Sequence, residues 1–159
     1  MMRRSLPIAF ILLSVSLCLA AEKKPAEPRE IIKNILTREE LGDGNCNQAI
    51  QKANEEKDKK KRDLKKVGVA EYCAKENTAL EKLAKDAQKK LAGPLFLVAR
   101  AFELAAAAWS EAHKKTSACL KLTGDKYDEC LTAAGSAHHQ GMEYRKIGIM
   151  IYGYYKPKK

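Results

Sequence analysis

Apolar residues recur every three or four positions over most of this chain, with polar and charged residues between them. From Leu95 to Cys119 this spacing persists for nearly four heptads, which is typical of a helical-bundle or coiled-coil seam. A second stripe, rich in small residues, runs from Tyr127 to Tyr152 and can approach the first closely. The pattern predicts an all-α fold, an antiparallel bundle of three to five helices.

Glycine and proline mark the expected ends of the helices. A short amphipathic helix over residues 30–40 is expected to end at Gly42 and Gly44, because glycine is costly inside a helix. Gly93 followed by Pro94 is typical of one helix end and the next helix start. The residues between these breaks are dominated by Ala, Lys, Glu, Leu and Gln, all good helix formers.

Residues 54–63 interrupt the apolar pattern with a stretch that carries no apolar side chain. Two structures fit residues 46–92: one continuous helix, or a hairpin that reverses around residues 58–61. A continuous helix would separate Cys46 from Cys73 by about 40 Å, at 1.5 Å per residue. We prefer the hairpin, in which both cysteines lie equally far from the turn. The continuous helix stays open if Cys46 is free or bonded elsewhere.

The beginning of the chain predicts a cleaved secretory signal. Arg3 and Arg4 form a basic start, and the apolar run from Leu6 to Leu17 is too short to span a bilayer. A lipoprotein anchor at Cys18 fits the preceding bulky Leu17 poorly. We therefore predict a secreted or periplasmic protein with a signal peptide (1–20), a disordered lead-in (21–29), one helical domain (30–155) and a basic tail (156–159).

Export makes disulfides the expected state of the four remaining cysteines. Cys119 and Cys130 lie on either side of the break at Gly124, so they can face each other in an antiparallel hairpin. Cys46 and Cys73 repeat this arrangement if the chain reverses between them. Three pairings are formally open, and the sequence has no C-x-x-C pair of the kind that builds zinc sites. We expect two disulfides that staple the bundle.

The mature chain is cationic, since loss of the signal turns 30 basic and 20 acidic residues into 28 and 20, a net charge of +8. At a hairpin tip, the densest basic cluster would present several cations to one anionic partner. The cluster comprises Lys57, Lys59, Lys60, Lys61, Arg62, Lys65 and Lys66. Export and the lack of aromatic side chains in it argue against nucleic acid. We expect an anionic macromolecule or a membrane surface as partner, with a merely solubilising surface as the alternative.

Catalytic chemistry has little support in this sequence. Ser110, Ser117 and Ser136 lie in predicted helices without a strand-turn-helix elbow, and the cysteines are expected to be oxidised. The predicted function is therefore that of an exported, non-enzymatic helical protein that binds an anionic macromolecule or cell-envelope component, and no cofactor is predicted.

His113, His138 and Met142 support an alternative function. They are expected at similar positions along the bundle axis, on facing helices. Such side chains can ligate haem iron or copper in a bundle. As residues that flank the apolar seam they need no metal, and the motif for covalent haem is absent. A metal- or haem-binding bundle is thus the second hypothesis.

The last predicted helix ends in a run that is apolar on all sides, from Ile147 to Tyr155. Such a segment is buried in the bundle, in a partner, or at a membrane surface. It is too short to span a bilayer. Burial in the bundle is the expectation, and the alternatives are a homodimer through this segment or a cationic membrane-active effector.

Overall fold

The computed structural model describes residues 26–155, which form four α-helices joined by short turns. The helices are α1 (Pro28–Asn54), α2 (Lys59–Gln88), α3 (Gly93–Cys119) and α4 (Asp125–Tyr155). Because the turns are so short, consecutive helices run antiparallel, and the predicted all-α bundle is confirmed. The predicted signal peptide (1–20) and basic tail (156–159) lie outside the described residues. So does most of the predicted lead-in, whose last two residues, Pro28 and Arg29, instead begin α1.

Both expected disulfides are present, and each joins two consecutive helices. Cys46–Cys73 links α1 to α2, and Cys119–Cys130 links α3 to α4, with Cα atoms 5.5 Å apart in each pair. This separation is ordinary for a disulfide. The hairpin is therefore confirmed for residues 46–92, and the continuous helix is wrong. Two disulfides also indicate a non-reducing, extracellular environment.

The expected end of the first helix at Gly42 and Gly44 is wrong, because α1 continues through both glycines to Asn54. Each glycine costs a helix interior only about 1 kcal/mol relative to alanine. Tertiary contacts on both sides outweigh this cost. Ile32 and Ile35 are fully buried before the glycines, and Cys46 is held by its disulfide after them.

The first turn lies earlier than expected. The chain reverses at residues 55–58, and Lys59 already belongs to α2. Asp58 is the N-cap of α2: its side-chain oxygen accepts a hydrogen bond from the backbone N–H of Lys61 at 2.9 Å. This cap satisfies a donor that the helix start leaves unpaired, and so fixes where α2 begins. Lys59, Lys60 and Lys61 consequently lie in the first turn of a helix rather than in a loop.

Helix α3 is the centre of the bundle, since it packs against both α2 and α4. Helix α1 packs against α2 and, less extensively, against α3. The large buried side chains gather at one end, which we call the core end, where α1 and α3 begin and α2 and α4 finish. They include Ile32, Ile35, Leu80, Val98 and Phe102. At the opposite end, the tip end, the buried positions are mostly alanines and disulfide cysteines.

Small residues bring α4 close to α3, as the sequence predicts. Ala134, Ala137, Gly141 and Gly148 are the buried positions of α4. A Cβ placed on Gly141 would lie 2.4 Å from the indole nitrogen of Trp109, and one on Gly148 would lie 2.9 Å from the Phe102 ring. Two aromatic rings of α3 therefore pack directly against the backbone of α4.

The C-terminal apolar run is only partly buried in the bundle. Gly148 is buried, and Ile151 and Tyr152 pack against the core. In contrast, Ile147 and Met150 are 43% and 56% exposed, and more exposed apolar side chains follow at Ile149, Tyr154 and Tyr155. No helix within residues 26–155 has the length and apolarity needed to cross a membrane. The homodimer through this segment stays a prediction.

Replacing Gly141 with Ala is expected to lower the free energy of unfolding by about 1–3 kcal/mol, because the new Cβ would overlap the rigid Trp109 ring. Gly135→Ala, on the same helix, is the matched control. The space around its Cβ is open, so this variant should gain about 0.4–1 kcal/mol through a less flexible unfolded chain. Urea denaturation of both oxidised variants measures the difference. Equal stabilities would contradict the close contact between α3 and α4.

Candidate functional site

The seven cations of the predicted cluster lie together at the first turn of the bundle and in the first two turns of α2. We call this surface the basic tip; it comprises Lys57, Lys59, Lys60, Lys61, Arg62, Lys65 and Lys66. Five of them are exposed, and only Arg62 and Lys66 are half-buried. Helix α2 thus presents the cluster to solvent at the tip end of the molecule.

Glu56 organises one side of the basic tip. Its carboxylate pairs with Lys65 Nζ at 2.6 Å, and its backbone oxygen accepts a hydrogen bond from Arg62 Nη1 at 3.5 Å. The hydrogen bond from Lys65 holds the pKa of the Glu56 carboxyl below its usual value. The turn therefore keeps a defined shape although it is highly charged.

Four cations of the basic tip, Lys57, Lys59, Lys60 and Lys61, form no ion pair with any residue in the described part of the chain. Lys59 to Lys61 also occupy the first turn of α2, which contains no acidic residue. The helix dipole is positive at this end and favours anions, by typically 0.3–1 kcal/mol per charge. The fold alone would favour acidic residues at these positions.

A separate cleft of about 320 Å³ opens between α1 and α4, with α3 as its floor. We call it the central cleft. His113 of α3 and His138 and Met142 of α4 all line it, so the structure brings together the three metal-ligand candidates. Within residues 26–155, no set of three His, Cys, Asp or Glu side chains is placed to hold a metal ion. The Met142 thioether is the third candidate ligand beside the two histidines.

An ion pair that the sequence analysis missed crosses the central cleft. Arg145 Nε of α4 donates to Glu39 Oε1 of α1 at 2.6 Å, and the Glu39 side chain is almost fully buried. The hydrogen bond to Glu39 raises the pKa of the Arg145 guanidinium. The only available signal was Arg145 itself, a charged residue on an otherwise small and apolar stripe. Such a residue requires an acidic partner on a neighbouring helix.

Trp109 forms part of the floor of the central cleft. Its ring is 8% exposed, and its indole N–H has no hydrogen-bond acceptor among the described residues. Unpaired buried donors are costly. The ring stays in place because it packs directly against α4 at Gly141. Its position is therefore set by close packing rather than by a hydrogen bond.

Burial lowers the pKa of His113 from its ordinary value of 6.5, and repulsion from His138 lowers it further. Asp43, across the cleft on α1, acts in the opposite direction but less strongly. The imidazole of His113 is therefore neutral at pH 7, with one ring nitrogen able to accept a hydrogen bond.

No protein-family model, curated protein or solved structure matches this chain. Its function is therefore inferred from the chemistry and the placement of its own side chains.

His113 is expected to make the protein less stable in mild acid. Below pH 6.5 the unfolded chain protonates this imidazole, whereas the folded protein resists the proton until a lower pH. Stability should be unaffected by this group above pH 6.5 and should fall as the pH drops from 6.5 toward the lowered pKa. Denaturant titrations between pH 7.5 and pH 5, made at intervals of about half a unit, measure the fall.

His113→Gln should reduce the fall in the free energy of unfolding between pH 6.5 and pH 5. His139→Gln, at an exposed position on the outer side of α4, should retain the wild-type fall. If both variants lose stability with the same slope as the wild type, His113 does not carry the effect.

Proposed function

We propose that this protein is an exported, non-enzymatic binding protein whose basic tip binds an anionic component of the cell envelope. The two disulfides and the predicted signal peptide support export, since disulfides persist in oxidising compartments. The net positive charge of the chain supports attraction to anionic surfaces in general. Binding is assigned to the tip because its cations are concentrated there and most of them form no ion pair within residues 26–155.

One observation carries this proposal. The first turn of α2 contains Lys59, Lys60 and Lys61, although the helix dipole favours acidic residues there. The carboxylate of Asp58 in the adjoining turn already accepts the capping hydrogen bond. Residues that are unfavourable for the stability of their own helix are typical of functional sites. An anion bound at this turn would meet several ammonium groups and the positive end of the helix together.

Two of the serines weighed above as nucleophiles, Ser110 and Ser117, have structural hydrogen-bond partners, which supports a non-enzymatic role. Ser110 Oγ donates to the backbone oxygen of Ala74 and lies 2.9 Å from the Thr78 hydroxyl. Ser117 Oγ donates to Glu71 at 3.2 Å. These bonds join α3 to α2, and within residues 26–155 neither serine hydroxyl forms a hydrogen bond with a histidine base of the kind that activates a nucleophile.

Replacing Lys59, Lys60, Lys61 and Arg62 together with Gln is expected to weaken binding to phosphatidylglycerol vesicles by on the order of a thousandfold at low salt. Each cation near an anionic membrane is worth about 1 kcal/mol, and the attraction is screened by salt. The same change should raise the free energy of unfolding by about 1 kcal/mol, because it removes repulsion from the helix dipole. Vesicle co-sedimentation at 50 and 200 mM salt, together with urea denaturation, measures both effects.

The matched control replaces Lys33, Lys75, Lys82 and Lys90, which are exposed on α1, on α2 and in the turn after α2. It removes the same total charge and should retain most of the vesicle binding. Phosphatidylcholine vesicles and a soluble acidic polysaccharide serve as the neutral and non-lipid probes. If the control variant loses as much binding as the tip variant, overall charge rather than the basic tip is responsible.

A further inference from the structure

A second cavity, of about 340 Å³, lies at the tip end between the two stapled hairpins. We call it the tip cavity. Its walls are mainly apolar and come from α1, α2, α4 and the turn that follows α3: Ile50, Val69, Ala70, Leu120, Tyr127 and Leu131. Pockets of this size and character are typical of sites for small apolar ligands.

The tip cavity has charged and polar groups at defined positions. Lys66, a member of the basic tip, lines it together with Asn54, the last residue of α1. Lys66 forms no ion pair with any other side chain among residues 26–155. His113 of α3 also lines the cavity. A ligand in this cavity would therefore meet hydrocarbon along most of its length and a cation at the tip.

The disulfides explain how such a cavity persists in a small bundle. The cavity is partly open to solvent, with Ile50 40% exposed, so its walls are not held together by close packing across it. Here Cys73 lines the cavity and is bonded to Cys46, while Cys119 and Cys130 precede two wall residues, Leu120 and Leu131. The covalent bonds hold the walls in place where the side chains alone do not fill the space.

The size of the tip cavity restricts its occupant. An engineered cavity of about 150 Å³ binds one benzene molecule, so this cavity has room for about a dozen carbon atoms. One alkyl chain fits this volume, whereas a two-chain phospholipid or a helical peptide does not. Lys66 then selects for a negative charge at the end of that chain.

We infer that the tip cavity binds the hydrocarbon chain of a single-chain anionic amphiphile, whose head group is bound by Lys66 and the neighbouring cations of the basic tip. This inference rests on the proposed function, because it uses the same cations, and it specifies the class of ligand. The chain would replace water at Ile50, Val69 and Leu131, and the charged head would stay at the surface.

The test uses the mature, oxidised protein and alkyl phosphates from hexyl to tetradecyl, each below its micelle concentration, in isothermal titration calorimetry. Affinity should rise about fourfold per methylene and level off near a dozen carbons, where the cavity is full. Inorganic phosphate should bind far more weakly than decyl phosphate. If alkyl phosphates of all lengths bind as weakly as inorganic phosphate, the inference is overturned, while vesicle binding through the tip can still stand.

Two pairs of variants locate the chain and the head group. With Val69→Phe, affinity should stop rising at a chain several carbons shorter than for the wild type, because the ring fills part of the cavity. Val67→Phe, at a half-buried position of α2 outside the cavity lining, should leave that chain length unchanged. Lys66→Gln should weaken decyl phosphate binding about tenfold, whereas Lys75→Gln, at an exposed position far along α2, should not.

Decyl maltoside, with a neutral head, should bind at least tenfold more weakly than decyl phosphate. Equal binding of the two would overturn the assignment of an anionic ligand.

Discussion

The Cys46–Cys73 disulfide constrains the part of this protein that its side chains hold least firmly. Helix α1 packs mainly on α2, and its large buried side chains, Ile32 and Ile35, lie at the core end. Beyond Gly42 and Gly44 the helix contributes little more than Cys46 and Ala53 to the interior. A bond that closes a loop of this length stabilises the folded state by about 3–4 kcal/mol on entropic grounds. It fixes the position of α1 along the axis of α2. It therefore also fixes the position of the turn between them, which carries the basic tip.

The bundle thereby divides into two halves with different chemistry. At the core end, aromatic and branched side chains of α1, α2 and α3 fill the interior, and glycines let α4 approach closely. Toward the tip end, alanines and disulfides replace them, and the central cleft and the tip cavity open between the helices. Small extracellular proteins use disulfides where a hydrophobic core is insufficient. In this chain the same bonds hold the helices around the two cavities and keep an unfavourable cluster of cations at the start of α2.

The sequence was informative wherever spacing alone decides geometry. Equal distances from a turn favoured the two cysteine pairs that form, although three pairings were open on sequence alone. The small residues of the last stripe predicted the close approach of α4. Local propensity failed at Gly42 and Gly44, since a cost of about 1 kcal/mol per glycine is smaller than the contacts that hold α1 on either side. The start of α2 was misplaced because the capping role of Asp58 depends on its geometry. The Glu39–Arg145 pair and the two cavities require the relative position of distant helices, which no local pattern contains.

Non-reducing peptide mapping of the protein, expressed with its predicted signal peptide, tests this account most directly. Proteolysis under acidic conditions that prevent disulfide exchange, followed by mass spectrometry, identifies which cysteine peptides remain linked. The account predicts two linked pairs, Cys46 with Cys73 and Cys119 with Cys130, and no free thiol among these four residues. Cross-pairing between the hairpins, or four free thiols, would contradict it, because the basic tip and the tip cavity would then have no covalent frame.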